Sequence, residues 1–380
     1  MVNIPVEPPI TEYLHTKAAQ KRIPLSGTFE LTPLCNMDCR MCYVRMSKQQ
    51  QEAICPLRTA EEWLTLGEEA KKRGMLYLLL TGGEPFSRPD FREILSGLHR
   101  MGFIISINSN GTMIDEAVVE WLKETPPTRI NLTLYGASNE TYARLCGNPN
   151  GFTQITKAIH LLKEAGITVK LNGSLTPYNA CDLEKIIEFA KDEQLIIQVT
   201  SYMFPPLRRD GSQIGQNDRF TPEEAAYYSA KIESLLNGEE EYLRRMQEMD
   251  LSLPDEPGED CLNVEGEGIH CRAGKCSFWV TWDGRFLPCG MLPGEDAANV
   301  FEIGFDEAWK QASTLASSIR LPSKCAGCGL KKQCKACAAM VLTETGSFHR
   351  IPEYRCQMAH EYPSACRQVE TELLEARNKR

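Results

Sequence analysis

At 380 residues, with 42% apolar and 24% charged side chains, the chain is long enough for one large globular domain and a smaller companion. Its formal net charge of -9, with no concentrated basic run, excludes nucleic acid as the main partner, because neutralising phosphates takes clustered Lys and Arg. No apolar run approaches the ~20 residues that span a bilayer, and Met1-Val2-Asn3-Ile4-Pro5-Val6-Glu7-Pro8 lacks the basic and apolar regions of an export signal, so no membrane partner and a cytoplasmic location are expected.

In chain order, residues 1–24 are Pro-rich and then polar, an N-terminal arm with one short helix predicted over Glu12–Gln20. Residues 25–220 alternate strand and helix signals, the pattern of parallel strands joined by crossover helices. The first strand is predicted over Thr28–Thr32, followed by Cys35-Asn36-Met37-Asp38-Cys39-Arg40-Met41-Cys42-Tyr43. A helix is predicted over Thr59–Arg73, opened by a Thr59 cap with Glu62 at capping-box spacing and ended by Gly74. The second strand, Leu76–Leu80, is continuously apolar, as a strand covered on both faces should be, and runs into Thr81-Gly82-Gly83-Glu84-Pro85. Its glycines permit close backbone approach to a ligand, although such a quartet standing alone is a turn more often than a site. Ile94, Leu98 and Met101 then mark one buried helical face, and the third strand, Phe103–Ile107, ends in the polar Asn108-Ser109-Asn110-Gly111-Thr112.

The fourth strand is predicted over Arg129–Gly136, the fifth over Thr168–Asn172 and the sixth over Leu195–Val199, with Leu183, Ile186, Ile187 and Ala190 on one face of the helix between the last two. Six such βα units predict an α/β fold, a partial (β/α)6 TIM-like barrel open on one side, with functional loops at the C-terminal ends of its strands. A Pro-rich polar loop, Met203–Gly211, follows near the mouth, where it can touch cofactor or substrate. Residues 221–268 read as a charged helical bridge (222–250) and a Pro/Gly/Glu linker, Asp255–Gly268. Residues 269–380 form a small cysteine-rich domain with a hairpin over Phe278–Pro288, turned at Asp283-Gly284, and a C-terminal helix.

Sixteen cysteines in close spacings, without an export signal, point to metal sites in a reducing compartment rather than to disulfides. The stretch from Cys35 to Cys42 reads C-x3-C-x2-C. Thiolates select soft metal sites, and a 4Fe-4S cube needs a ligand for each iron, so three thiols leave one iron open for chemistry. A zinc knuckle with a fourth ligand from elsewhere is the alternative use of such a stretch.

The stretch resembles the signature of radical S-adenosylmethionine (radical SAM) enzymes. That resemblance implies Cys35, Cys39 and Cys42 as cluster ligands, S-adenosylmethionine chelating the open iron, and Tyr43 near the adenine. It further implies reductive cleavage of S-adenosylmethionine to a 5'-deoxyadenosyl radical that abstracts a substrate hydrogen. Gly82, Gly83, Glu84 and Pro85 are similar to the loop that holds the methionyl amino group, and Asn110 to a third-strand ligand. On the fourth strand Thr133 replaces a serine and Tyr135 an aspartate of many relatives, and Arg144 matches an arginine aimed at the cofactor carboxylate. The alternative for Arg144 is a solvated helix residue.

The C-terminal array, C-x12-G-x4-C, C-x2-C-x5-C-x2-C and a final cysteine, is similar to the SPASM domain of radical SAM peptide and protein maturases, with one spacing shortened from three to two. Carried over residue by residue, one auxiliary 4Fe-4S cluster takes Cys271, Cys276, Cys289 and Cys337, and the second takes Cys325, Cys328, Cys334 and Cys356, with Cys366 a substitute for Cys356. Paired zinc ribbons remain the alternative. Cys55, Cys146, Cys181, Cys261 and Cys366 are left as small core residues.

The expected function is therefore a radical SAM enzyme abstracting hydrogen from a ribosomally made peptide and forming a thioether or carbon-linked crosslink, with auxiliary clusters taking the electron. The alternatives are oxidation of a haem precursor or other small molecule, sulfatase maturation, and non-catalytic electron carriage. Gly290 stands where sulfatase-maturing relatives carry an aspartate base, which weighs against that option. The roughly 25 residues before the first strand are too few for a leader-binding winged helix, so any leader recognition is expected on a separate leader-binding protein or on the barrel itself, with an electron donor such as flavodoxin or ferredoxin. No residue is singled out as general base.

Overall fold

The computed structural model describes residues 8–249, 251 and 266–379. Eight strands form one sheet: Ser26–Glu30 (β1), Tyr77–Thr81 (β2), Ile104–Ser109 (β3), Arg129–Thr133 (β4), Val169–Ser174 (β5), Ile196–Thr200 (β6), Ser277–Val280 (β7) and Phe286–Leu287 (β8). Their order is β6-β5-β4-β3-β2-β1-β7-β8, parallel from β6 through β7, with β8 antiparallel to β7. The first six strands with their crossover helices make the expected partial barrel.

Alternation along the strands separates two environments. Phe29, Leu78, Leu80, Ile105, Ile107, Ile130, Leu132 and Leu171 are buried between sheet and helices. Residues of opposite parity, among them Thr28, Ser106, Asn131 and Lys170, line the interior of the barrel. The helix Ala60–Lys72 begins with the capping box foreseen: Thr59 Oγ1 accepts from Glu62 N, and Thr59 N donates to the Glu62 carboxylate at 2.7 Å. The N-terminal helix, Pro9–Lys21, is longer at both ends than the Glu12–Gln20 expected.

β1 lies two residues earlier than Thr28–Thr32, because Thr32 turns the chain out of the sheet. Its carbonyl accepts from Gly83 N at 2.6 Å and its hydroxyl from Leu34 N at 3.0 Å. The expected bridge contains two helices, Pro222–Asn237 and Glu239–Glu248, separated by Gly238 at φ 87°. Both pack against the long C-terminal helix Glu353–Asn378. The Asp255–Gly268 linker lies, up to residue 265, outside the described residues.

The hairpin turns at Asp283-Gly284 as expected, with Gly284 at φ 96°. Its first strand, however, joins the barrel sheet. β7 pairs in parallel with β1, Ser26 opposite Ser277 and Phe29 opposite Val280, so the cysteine-rich segment continues the barrel's own sheet.

Candidate active site

Past Leu31 the chain loops over the C-terminal end of the sheet, carrying Cys35, Cys39 and Cys42. The end of the helix Asn139–Cys146 holds this loop: Asp38 N donates to Cys146 O at 2.8 Å and Arg40 N to Leu145 O at 3.1 Å. Cys39 is buried, its thiol hydrogen-bonded with Cys146 and Tyr135. The other two sulfurs accept N–H groups: Met37 N to Cys35 at 3.4 Å, Asn110 Nδ2 to Cys35 at 3.6 Å, and Arg45 N to Cys42 at 3.3 Å. Burial, opposed by the Met37 bond, pushes the Cys35 thiol up to about 12.

A buried thiol set with N–H groups aimed at sulfur suits iron-bound thiolates, whose charge those dipoles stabilise. Among the described residues no three His, Cys, Asp or Glu side chains gather as ligands of a single metal ion. Ligands of a four-iron cube stand farther apart, one on each iron.

Gly82 and Gly83 have a tighter purpose than ligand approach alone. A Cβ on Gly82, at φ 158°, would lie 2.5 Å from Thr32 O, and one on Gly83 would lie 2.3 Å from Leu34 O. Only glycine lets this loop close against the cysteine loop. Glu84 is fully buried, and its carboxylate accepts from Phe86 N (3.1 Å), Ser109 Oγ (2.9 Å) and Asn110 N (2.8 Å). Burial, opposed by those bonds, pushes it up to about 7. Glu84 thus fastens the β2 loop to the β3 loop, and Pro85 follows it into a buried turn.

Asn110 reaches the cysteine loop directly, donating to Asn36 Oδ1 at 2.9 Å as well as to Cys35. Thr133 ends β4 beside Asn172. Arg144 is exposed and gives its Nε and Nη2 to Tyr178 O at 3.1 and 2.5 Å. Tyr43 is half-buried with the Arg208 guanidinium 5.6 Å from its ring centroid.

Four C-terminal thiols converge: Cys325, pushed up to about 11 by burial, feels Cys334, Cys328 and Cys356. They line a cavity of about 430 Å³ that Cys271 and Cys337 also border. Cys289, pushed up to about 11 by burial, has Cys337 and Cys271 as neighbours, so the shortened spacing does not remove Cys337 from this group. Cys276 is fully buried and packs with Ala18 and Leu25. Cys366 is no substitute for Cys356, because it is buried among Tyr362 and Tyr242, whose side chains hydrogen-bond its thiol.

Sequence reasoning missed the group that ties the two thiol regions together. Glu30, the last residue of β1, is fully buried and meets Arg208 at 2.5 Å and Trp279 Nε1 at 3.0 Å. Arg208, from the Met203–Gly211 loop, also donates to Gly290 O at 2.8 Å, next to Cys289. Tyr135 and Cys146 were likewise missed as neighbours of Cys39; the only signal was a tyrosine in place of the usual acid. A cavity of about 930 Å³ borders Thr28, Trp279, Cys271 and Cys289, and shares His15, Ser26 and Thr28 with the barrel interior.

Residues 29–190 match the radical SAM superfamily. The chain is 26% identical over 342 residues to the AdoMet-dependent heme synthase of Methanosarcina barkeri, covering 87% of this chain and 95% of that protein. It is 25% identical over 337 residues to the PqqA peptide cyclase of Gluconobacter oxydans, covering 84% and 87%. Its fold is similar to that of Streptococcus suis SuiB bound to precursor peptide SuiA, with a TM-score of 0.64 at 19% identity over 91% of this chain and 78% of that one.

Proposed function

We propose that this chain, which belongs to the radical SAM superfamily, is an enzyme that abstracts hydrogen from a residue of a peptide and leaves that residue in a thioether or carbon-linked crosslink. What supports this reading is the Cys35–Cys42 loop at the C-terminal end of the sheet, its sulfurs met by N–H groups, on the same sheet that β7 extends into the segment carrying Cys271 and Cys289.

Cys35, Cys39 and Cys42 would hold a 4Fe-4S cluster, with S-adenosylmethionine against Gly82, Gly83, Asn110 and Thr133. When bound, these groups supply one-electron cleavage chemistry and a 5'-deoxyadenosyl group that takes a hydrogen atom. The chain's own contribution is to hold the thiols, through Tyr135, Cys146 and the Met37 and Arg45 amides, and to cover the loop from water. Cys271, Cys289 and Cys337, with Cys276 completing the set, and Cys325, Cys328, Cys334 and Cys356 would hold two auxiliary clusters that accept the remaining electron. Such thiols need a reducing, cytoplasmic setting, a flavodoxin- or ferredoxin-type donor and, for leader recognition, a separate protein.

Oxidation of a haem precursor is the second reading, favoured by the similarity to a heme synthase along 87% of the chain. The deciding experiment is anaerobic reconstitution with S-adenosylmethionine and a strong reductant, beside a Cys42→Ala control, followed by mass analysis of short peptides encoded near the gene. The expected result is 5'-deoxyadenosine from the wild type alone and loss of a hydrogen pair from one peptide. Haem precursor consumed in place of peptide would replace the first reading by the second.

A further inference from the structure

Cys39 differs from the other two thiols of its loop in what meets its sulfur. Cys35 and Cys42 accept N–H groups, whereas Cys39 is hydrogen-bonded by two side chains from outside the loop, the Tyr135 hydroxyl and the Cys146 thiol. The backbone arranges this meeting. Both neighbours of Cys39 are tied to the end of the helix Asn139–Cys146, Asp38 N donating to Cys146 O at 2.8 Å and Arg40 N to Leu145 O at 3.1 Å. Gly147, at φ 67°, then turns the chain away. Cys146 is fully buried and Cys39 nearly so.

Tyr135 is held as firmly. Its N–H donates to Tyr142 Oη at 3.2 Å, its carbonyl accepts from Asn179 Nδ2 at 2.8 Å, and its ring stands edge-on to that of Tyr142 with centroids 6.0 Å apart. Its hydroxyl is close enough to Cys35 and Cys42 to feel both.

A sulfur bound to iron has given up its proton and can only accept. In the iron-loaded chain the Tyr135 O–H and the Cys146 S–H are therefore both donors to Cys39. Reduction adds a negative charge that spreads onto the sulfurs, so a donor there favours the reduced state and raises the potential. Burial strengthens that preference, because little water competes for the sulfur.

We propose that Tyr135 and Cys146 are positioning residues that set, through hydrogen bonds to the Cys39 sulfur, the potential at which the Cys35–Cys42 site takes up its electron. This rests on the reading of Cys35, Cys39 and Cys42 as ligands of a 4Fe-4S cluster. Losing either donor leaves a site that is harder to reduce.

The test is a potentiometric titration of the iron-loaded enzyme under anaerobic conditions, followed by electron spin resonance. The signal that changes on addition of S-adenosylmethionine identifies the Cys35–Cys42 site, and the signals of the C-terminal thiols serve as the internal reference. Tyr135→Phe, which removes one oxygen and keeps the ring, and Cys146→Ala should each lower the midpoint of the first signal alone. The expected effect is about threefold less reduced site at a fixed potential, or about 28 mV at roughly 59 mV per decade for one electron. Cys146→Ser, which restores a donor, should return the midpoint toward the wild-type value. An unchanged midpoint in either Tyr135→Phe or Cys146→Ala, or an equal shift in the C-terminal signals, would overturn the proposal. So would iron kept at this site by Cys39→Ala and lost from it in Cys146→Ala, which would make Cys146 the ligand in place of Cys39. Should both Cys146 variants and Cys39→Ala fail to load iron there, Tyr135→Phe carries the test alone. A wild type without the S-adenosylmethionine-sensitive signal would strike the cluster reading and this proposal together. The titration needs no turnover, so a wild type that shows the signal but yields no 5'-deoxyadenosine strikes only the proposed function.

Discussion

Glu30 and Arg208 form an ion pair at 2.5 Å with almost no exposure on either side chain, at the junction of β1, the Met203–Gly211 loop and the cysteine-rich segment. Breaking one half of a buried pair leaves an uncompensated charge, at a cost of about 3 to 5 kcal/mol. Glu30→Gln and Arg208→Met should each lower the melting temperature, while the double replacement should cost less than the sum of the two. Calorimetry of the three variants checks this double-mutant cycle, and additive effects would contradict a coupled pair.

Gly83→Ala should be far more harmful than its single methyl group suggests. The added carbon meets Leu34 O of the cysteine loop at 2.3 Å, and its three nearest atoms are all backbone, which cannot swing aside as a side chain would. Iron content per chain and 5'-deoxyadenosine yield should both fall, whereas Gly211→Ala, whose nearest neighbour is a Glu295 carboxylate oxygen at 3.3 Å, should leave both near wild type.

Glu84 makes stability depend on pH with an unusual sign. Its folded pKa, raised to about 7 from 4.5, lies above the unfolded value, so its contribution is complete below about pH 4.5 and is lost as pH rises through 7. The span amounts to at most about 3 kcal/mol. Glu84→Gln mimics the protonated state, and its melting temperature should gain on that of the wild type between pH 5 and pH 8. A constant difference across that range would show the carboxyl to be ionised throughout.

Loss of a single thiol in the C-terminal quartet should remove iron locally. Cys334→Ala is expected to lower bound iron by about four atoms per chain, one cube's worth, and to leave the absorbance and spin signal of the Cys35–Cys42 site in place. Zinc bound in place of iron at this quartet would contradict the assignment.

The barrel was legible because its signals are local. The Thr59–Glu62 box, the apolar Leu76–Leu80 run and the Asp283-Gly284 turn each depend on neighbours within a few residues, and all three are present. The spacing of Cys325, Cys328 and Cys334 likewise announced thiols that converge. Long-range partnerships left no such trace. Nothing near Glu30 indicates Arg208 or Trp279, and nothing near Gly82 or Gly83 says that their first obligation is to Thr32 and Leu34 rather than to a ligand. The Asp283-Gly284 turn paired the two arms of the Phe278–Pro288 hairpin with each other, but a local turn says nothing of β1, the partner on the other side of its first arm.

That partner bears on how the molecule is made. β7 emerges from the ribosome about 250 residues after β1, so one side of β1 carries unpaired peptide groups while all the chain between them is made. A fragment ending after β6 would keep that edge bare for its lifetime and should associate through it, so the barrel and the cysteine-rich segment have to be produced, and inherited, as one piece.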